Sequence, residues 1–306
     1  MAGDRTALVR RWLRSFLFAP GDSERLLAKV FTAGADAVVL DLEDAVAESR
    51  KAEARRLVNS KLQTLGEDHP PAWVRINAVN SAHWQEDLAA VVVPGLAGLR
   101  PAKIESLDEL QQLDDALYTR EEQAGLATGS IQVTCEIESA AGLMAASALG
   151  QHPRVERFSF GEADFMADLG AEPGSDPALP RATLWARSML VVVSRAARLA
   201  APIVPIYTRF GDLEGLHRRL LECKELGFFG ASCIHPKQLG PIHEAFTPRP
   251  REVAAARELL EVFEQGGGGG TSAAGERFVD AAVVRHAREV LALAEHLATK
   301  EGRRDR

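Results

Sequence analysis

Acidic side chains gather where apolar runs end. Leu40-Asp41-Leu42-Glu43-Asp44 closes one run with three acids, Glu136-Ile137-Glu138 closes another with two, and Gly161-Glu162-Ala163-Asp164 follows a third. Strand geometry repeats every two residues, so Asp41 shares a face with Glu43, and Glu136 with Glu138. Carboxylates brought together in this way repel at neutral pH unless one is protonated or a cation sits among them. An oxygen donor set with no His or Cys beside it suits Mg²⁺, with Mn²⁺ as the alternative ion, rather than zinc. Arg75, in Val74-Arg75-Ile76-Asn77, adds a planar cation suited to gripping a carboxylate at two points. Lys103 and Glu105 follow a further run, and His235 follows the last. A strand-end acid commonly caps a helix or joins an ion pair, which is the reading for Asp22, Asp108 and Asp212. His235 reads as a structural histidine, and for Glu138 and Asp164 both the structural and the chemical reading stay open on the residues alone. No GxSxG elbow, HExxH helix or Walker lysine motif is present.

The runs that must position these groups alternate with amphipathic stretches. Strands are expected at 15–19, 37–42, 72–76, 98–102, 132–137, 155–160, 203–206 and 231–234. Helices are expected between them at 23–32, 49–65, 82–92, 106–120, 140–149, 181–199 and 213–226. This alternation predicts an α/β fold, a (β/α)8 TIM barrel whose working groups sit at the C-terminal ends of its strands. An open doubly wound sheet is the alternative, but Ala19-Pro20-Gly21-Asp22-Ser23 lacks the dinucleotide glycine spacing. The barrel is expected over 1–246 and a C-terminal helical extension over 247–306, with helices near 251–265 and 281–298 and a glycine-rich linker at 266–275.

Composition narrows the function. The 306 residues are 46% hydrophobic and 26% charged, enough for a core and far from a disordered composition. A net charge of −7 gives no electrostatic support for nucleic acid or an anionic membrane as partner. No apolar run approaches a membrane span, and the arginines at 5, 10, 11 and 14 flank no secretory apolar segment. Cys135, Cys223 and Cys233 lack metal or disulfide spacing and read as buried thiols, so the expected location is cytoplasmic.

Seven stretches together carry a family resemblance: RSFLFAPGDSER at 14–25, GADAVVLDLEDAV at 34–46, VRIN at 74–77, EIESAAGL at 136–143, GEADFMADLG at 161–170, GDLEGL at 211–216 and GFFGASCIHPKQ at 227–238. In this order they resemble the citrate lyase β-subunit-like branch of the HpcH/HpaI aldolase family, which includes malyl-CoA and citramalyl-CoA lyases. The resemblance implies a Mg²⁺-dependent carbon–carbon lyase acting on an acyl-CoA thioester and a 2-oxo acid, in a homotrimer or other homo-oligomer. It implies Glu138 and Asp164 as metal ligands, and Arg75 as the group on the oxo acid's oxygen. Asp44 would belong to the outer shell of the metal and to the substrate pocket, which Glu43 and Lys103 complete. Asp280, in the VD pair at 279–280, is implied as an acid delivered to a neighbour's site for proton transfer. A malyl-CoA-type thioesterase and a β subunit active only with an acyl-carrier partner are the competing functions.

Overall fold

The computed structural model describes residues 11–66, 68–172, 174–265, 271–273, 277–279 and 281–304. Seven parallel strands form one sheet: β1 (Ser15–Pro20), β2 (Ala37–Asp41), β3 (Ala72–Ile76), β4 (Leu96–Pro101), β5 (Gln132–Ile137), β6 (Val155–Phe160) and β7 (Ala231–Cys233). Their spatial order is β6-β5-β4-β3-β2-β1-β7. The outer strands β6 and β7 are each met by one short segment, through parallel bridges Ser159 to Ile203 and Val204 to Ala231. The expected strand at 203–206 is thus reduced to these two bridges. Pro202 and Pro205 flank them, and a proline has no amide hydrogen to give a ladder.

Helices α1 (Glu24–Val30), α2 (Lys51–Gln63), α3 (Trp84–Val91), α4 (Leu107–Gln123) and α5 (Ala140–Leu149) follow the first five strands. After β6 come α6 (Glu162–Asp168) and α7 (Leu184–Ala196), then α8 (Leu213–Leu226) before β7 and α9 (Leu239–Phe246) after it. The start positions follow local chemistry. Ser106, Ser139 and Asp212 accept the amides of Glu109, Gly142 and Gly215 at 3.2, 3.1 and 2.8 Å, capping α4, α5 and α8. The short α6 was not expected from the sequence, and it moves Asp164 from a strand end to the first turn of a helix.

Inside the sheet, an apolar layer carries a charged one. Phe16, Phe18, Val39, Trp73 and Ile203 form a buried cluster. Two residues further along their strands, Val39 gives way to Asp41 and Trp73 to Arg75, and these two are lateral partners in register. Arg75 is in turn paired with Arg100 of β4, two residues beyond Gly98. Gly98 makes room for the core, since a Cβ there would stand 2.1 Å from the Trp73 ring.

The chain divides into two compact units: Leu13–Ala245, which carries the sheet, and the described residues after it together with Arg11 and Trp12. The second contains α10 (Pro250–Gln265), an antiparallel pair β8 (Thr271–Ala273) and β9 (Arg277–Val279), and α11 (Ala281–Arg304). Thr271–Ala273, expected within the linker, is therefore paired strand, while 266–270 and 274–275 of that linker lie outside the described residues. On α11, Val284, Ala287, Leu293 and Leu297 are buried, and Val283 is exposed. Helix α11 packs along α10 of the same unit. Among the described residues, no helix is long and apolar enough to cross a membrane.

Candidate active site

Beyond the C-terminal ends of β2, β3, β4 and β5 the sequence stops being apolar, and the charged layer becomes a site. Arg75 donates to Asp41 through Nε at 2.7 Å and Nη2 at 2.6 Å, a two-point grip. Asp41 also accepts the backbone amides of Glu43 and Ala45 at 3.0 and 3.1 Å. The remaining terminal nitrogen of Arg75 stands 3.2 Å from Glu43 Oε2, and its guanidinium lies 5.3 Å from the Phe18 ring centre. Burial alone would lower the arginine's pKa, but Asp41, Glu43 and Glu136 more than reverse this and keep it charged.

A second buried arginine braces the neighbouring strand. Arg100 pairs with Glu136 through Nε and reaches Ser159 and Ser232 with its other nitrogens. That fixes Glu136 on β5 and leaves Glu138, two residues on, as the next acid of the row. Glu138 is 4% exposed, and its Oε2 has no hydrogen-bond partner among the described residues. Burial first, then the charges of Glu136 and Glu43, push its carboxyl up to about 8, with Arg75 opposing and Asp164 adding to the rise. The turn into α6 is shaped around this side chain. A Cβ at Gly161 would lie 2.4 Å from Glu138 Cγ and 2.8 Å from its Cδ, so glycine is what lets the carboxyl in.

Lys103 faces the same acids. Its Nζ donates to Glu43 Oε1 at 3.0 Å and stands 3.9 Å from Asp164 Oδ1. Burial works against its charge, but Glu43, Asp44 and Glu138 outweigh this and raise the lysine's pKa. Asp164 is 46% exposed at its side chain, and Asp44 is exposed, acting on Lys103 by charge without a direct bond. The structure thus brings Arg75, Glu43, Lys103, Glu138 and Asp164 into one electrostatic group with Asp44 at its margin. Asp280 lies outside the described residues.

Other expected and unexpected partners separate cleanly. Glu162 of the same GEAD stretch turns away, accepting from Thr183 at 2.7 Å and pairing with Arg219 at 2.6 Å. Asn77 of VRIN binds Lys51 and Asp87 at 2.7 and 2.6 Å, bracing α2 and α3 against the sheet. His235 accepts the Lys237 amide at 3.1 Å and caps a short turn, as a structural histidine does. Sequence reading had no place for Arg100 or for Asp41 as Arg75's anchor. A lone arginine inside the apolar run Leu99-Arg100-Pro101 was the available signal for the first.

A divalent cation fits this chemistry. Glu138 offers a buried carboxylate oxygen with no hydrogen-bond partner among the described residues, and Asp164 a second, open one. Among the described residues, no group of three or more His, Cys, Asp or Glu forms a ready-made cage. Two carboxylates with open positions left for water and substrate oxygens are what Mg²⁺ takes in such sites.

The same chain matches known proteins over most of its length. The family model described as HpcH/HpaI aldolase/citrate lyase matches residues 14–236. The citrate lyase subunit beta of Leuconostoc mesenteroides is 29% identical over 95% of this chain and 97% of its own. The mitochondrial citramalyl-CoA lyase of Rattus norvegicus is 32% identical over 94% and 87%, and a (3S)-malyl-CoA thioesterase of Cereibacter sphaeroides is 29% identical over 93% and 95%. Among solved structures, a citrate lyase from Burkholderia xenovorans superposes with TM-score 0.81 at 25% identity, covering 93% of this chain and 92% of that one. The protein CitE from Mycobacterium tuberculosis, in complex with magnesium, acetoacetate and coenzyme A, superposes with TM-score 0.76 at 27% identity, covering 92% and 97%.

Proposed function

The chain belongs to the HpcH/HpaI aldolase/citrate lyase family, and we propose that it is a Mg²⁺-dependent carbon–carbon lyase. Its substrate is a 3-hydroxy-3-carboxy acyl-CoA thioester of the citryl, citramalyl or malyl kind. The products are an acyl-CoA, such as acetyl-CoA, and a short 2-oxo acid. The observation that carries this reading is the buried Glu138 oxygen, without a hydrogen-bond partner among the described residues, in one electrostatic group with Asp164 and an arginine already fixed by Asp41. The fold is read as a closed (β/α)8 barrel, supported by the bridges from Ile203 and Val204 to the two outer strands.

In the cleavage direction the substrate's hydroxyl gives its proton to water, which balances the proton later taken up at the thioester carbon, and becomes a carbonyl. The bond from that carbon to the thioester's α-carbon breaks, and the electron pair passes to the thioester enolate, which is then protonated. Glu138 and Asp164 would hold the cation, which when bound supplies Lewis-acid polarisation of the oxo acid's carbonyl and carboxylate. Arg75 places a fixed positive charge against the oxygen of the forming carbonyl, and Asp41 prevents it from turning away. Glu43, Asp44 and Lys103 border the substrate. Asp280, from a neighbouring protomer of a homotrimer, is assigned the proton transfer at the thioester carbon on its VD motif. The enzyme is cytoplasmic in this reading.

Incubating the purified chain with Mg²⁺ and citryl-, citramalyl- and malyl-CoA tests the proposal. Acyl-CoA plus an oxo acid supports it. Free CoA without oxo acid would instead make the chain a thioesterase, like the Cereibacter relative. Turnover only after an acyl-carrier protein is added would make it a subunit, like the Leuconostoc relative.

A further inference from the structure

Lys103 is held in a conformation lysines rarely adopt, with φ at +52° in the left-handed region. Such a residue persists only where its surroundings fix it. Here the fixing is visible on both sides: the preceding Ala102 amide donates to Ile76 at 3.2 Å, and the ammonium is held by Glu43 at 3.0 Å. The same ammonium stands 3.9 Å from Asp164, and Glu43's other oxygen is taken by Arg75 at 3.2 Å. Lys103 is therefore a positive charge placed beside one proposed cation ligand, Asp164, and tied to the acid that neighbours the other.

We propose that Lys103 is a built-in counter-cation of the acidic cluster: it competes with the divalent metal for Asp164, sets the metal's affinity, and moves off that carboxylate when the metal binds. This rests on the reading of Glu138 and Asp164 as the cation site. Like charges a few ångströms apart repel, and a lysine side chain 39% exposed has solvent into which to withdraw. Removing the charge leaves the cluster more negative. Mg²⁺ then binds more tightly, and the metal-free protein loses a stabilising partner for its acids. Because both Lys103 and Asp164 are partly exposed, the effect is screened by salt.

Calorimetric titration with MgCl₂ alone, at low ionic strength and without oxo acid, reads this directly. Lys103→Met removes the charge while keeping an unbranched side chain only one atom shorter, and is expected to bind Mg²⁺ at least about tenfold more tightly than wild type. Lys103→Arg keeps the charge and is expected to stay within about twofold. The gain in Lys103→Met is expected to shrink as KCl approaches ~1 M. In EDTA, Lys103→Met should also melt below wild type. Wild-type or weaker Mg²⁺ affinity in Lys103→Met, with or without weakened thioester binding, would overturn the role while leaving the cation site standing. A wild-type chain that binds no Mg²⁺ would overturn the site and the role together.

Discussion

Asp41 holds Arg75 at two points, with Nε at 2.7 Å and Nη2 at 2.6 Å, and both residues sit on the row directly above the buried Val39 and Trp73. Arg75 is thus not a free fork waiting for a substrate carboxylate. It is a fixed charge whose direction is set by a neighbouring strand.

Arg75→Lys should therefore lose at least ~10-fold in kcat/KM, about 1.4 kcal/mol of transition-state stabilisation, although the charge is kept. Asp41→Ala should be worse for the protein as a whole. It leaves a buried guanidinium without its anchor, a change that costs about 3 kcal/mol or more of stability. Steady-state kinetics and denaturant melts of the two variants check this. Wild-type efficiency in Arg75→Lys would make the arginine structural.

Glu138→Gln and Asp164→Asn should each abolish tight Mg²⁺ binding in calorimetry while leaving the circular dichroism spectrum unchanged. Glu138→Gln should also be no less stable than wild type in EDTA, because it removes a buried carboxyl whose Oε2 has no partner among the described residues. Retained Mg²⁺ affinity in both variants would remove them from the cation site.

Gly161→Ala tests the cradle without replacing a charged group. The added methyl would meet Glu138 at 2.4 Å, so Mg²⁺ affinity should fall at least about tenfold. The fold should lose only about 1–3 kcal/mol, the usual range for overpacking. Unchanged Mg²⁺ binding would show that Glu138 tolerates displacement and is not a precise ligand.

The three cysteines are all buried and free. Burial pushes the Cys223 thiol up to about 11 and Cys233 up to about 12, and raises Cys135 as well. At pH 8 a thiol reagent should find none of them in the native protein and all of them in denaturant. Rapid labelling of any one in the folded state would contradict their placement.

Much of this was legible in the sequence where one physical signal dominated. Runs such as Ala72–Ile76, Gln132–Ile137 and Val155–Phe160 carry apolar residues on both faces because a parallel strand is covered on both, and their limits fall where expected. The helix at Glu162–Asp168 was hidden because seven residues after a glycine are too few to show a helical period. Its discovery explains why Asp164 reaches toward Lys103 from a helix's first turn. Period two placed Asp41 and Glu43 on one face, but no local pattern gives lateral register across strands. The Asp41–Arg75 grip, 34 residues apart in sequence, was therefore invisible before the sheet was assembled.

Sharing of the site between protomers is tested by mixing. Arg75→Ala and Asp280→Asn chains, each inactive alone, should regain partial activity when co-assembled, because some interfaces then combine an intact Arg75 with an intact Asp280. Verified mixed oligomers with no gain over the separate mutants, while each still mixes productively with wild type, would confine both residues to one chain.

The proposed reaction is cleavage of a carbon–carbon bond at a cation held by Glu138 and Asp164. Product balance by mass spectrometry tests it most directly, following the thioester that turns over during a Mg²⁺ titration of wild type and of Glu138→Gln. Acyl-CoA and oxo acid are expected in equimolar amounts, rising with Mg²⁺ in wild type, absent in EDTA and absent in the variant at every Mg²⁺ concentration. Equimolar products formed by Glu138→Gln at the wild-type rate, or by wild type in EDTA, would contradict it.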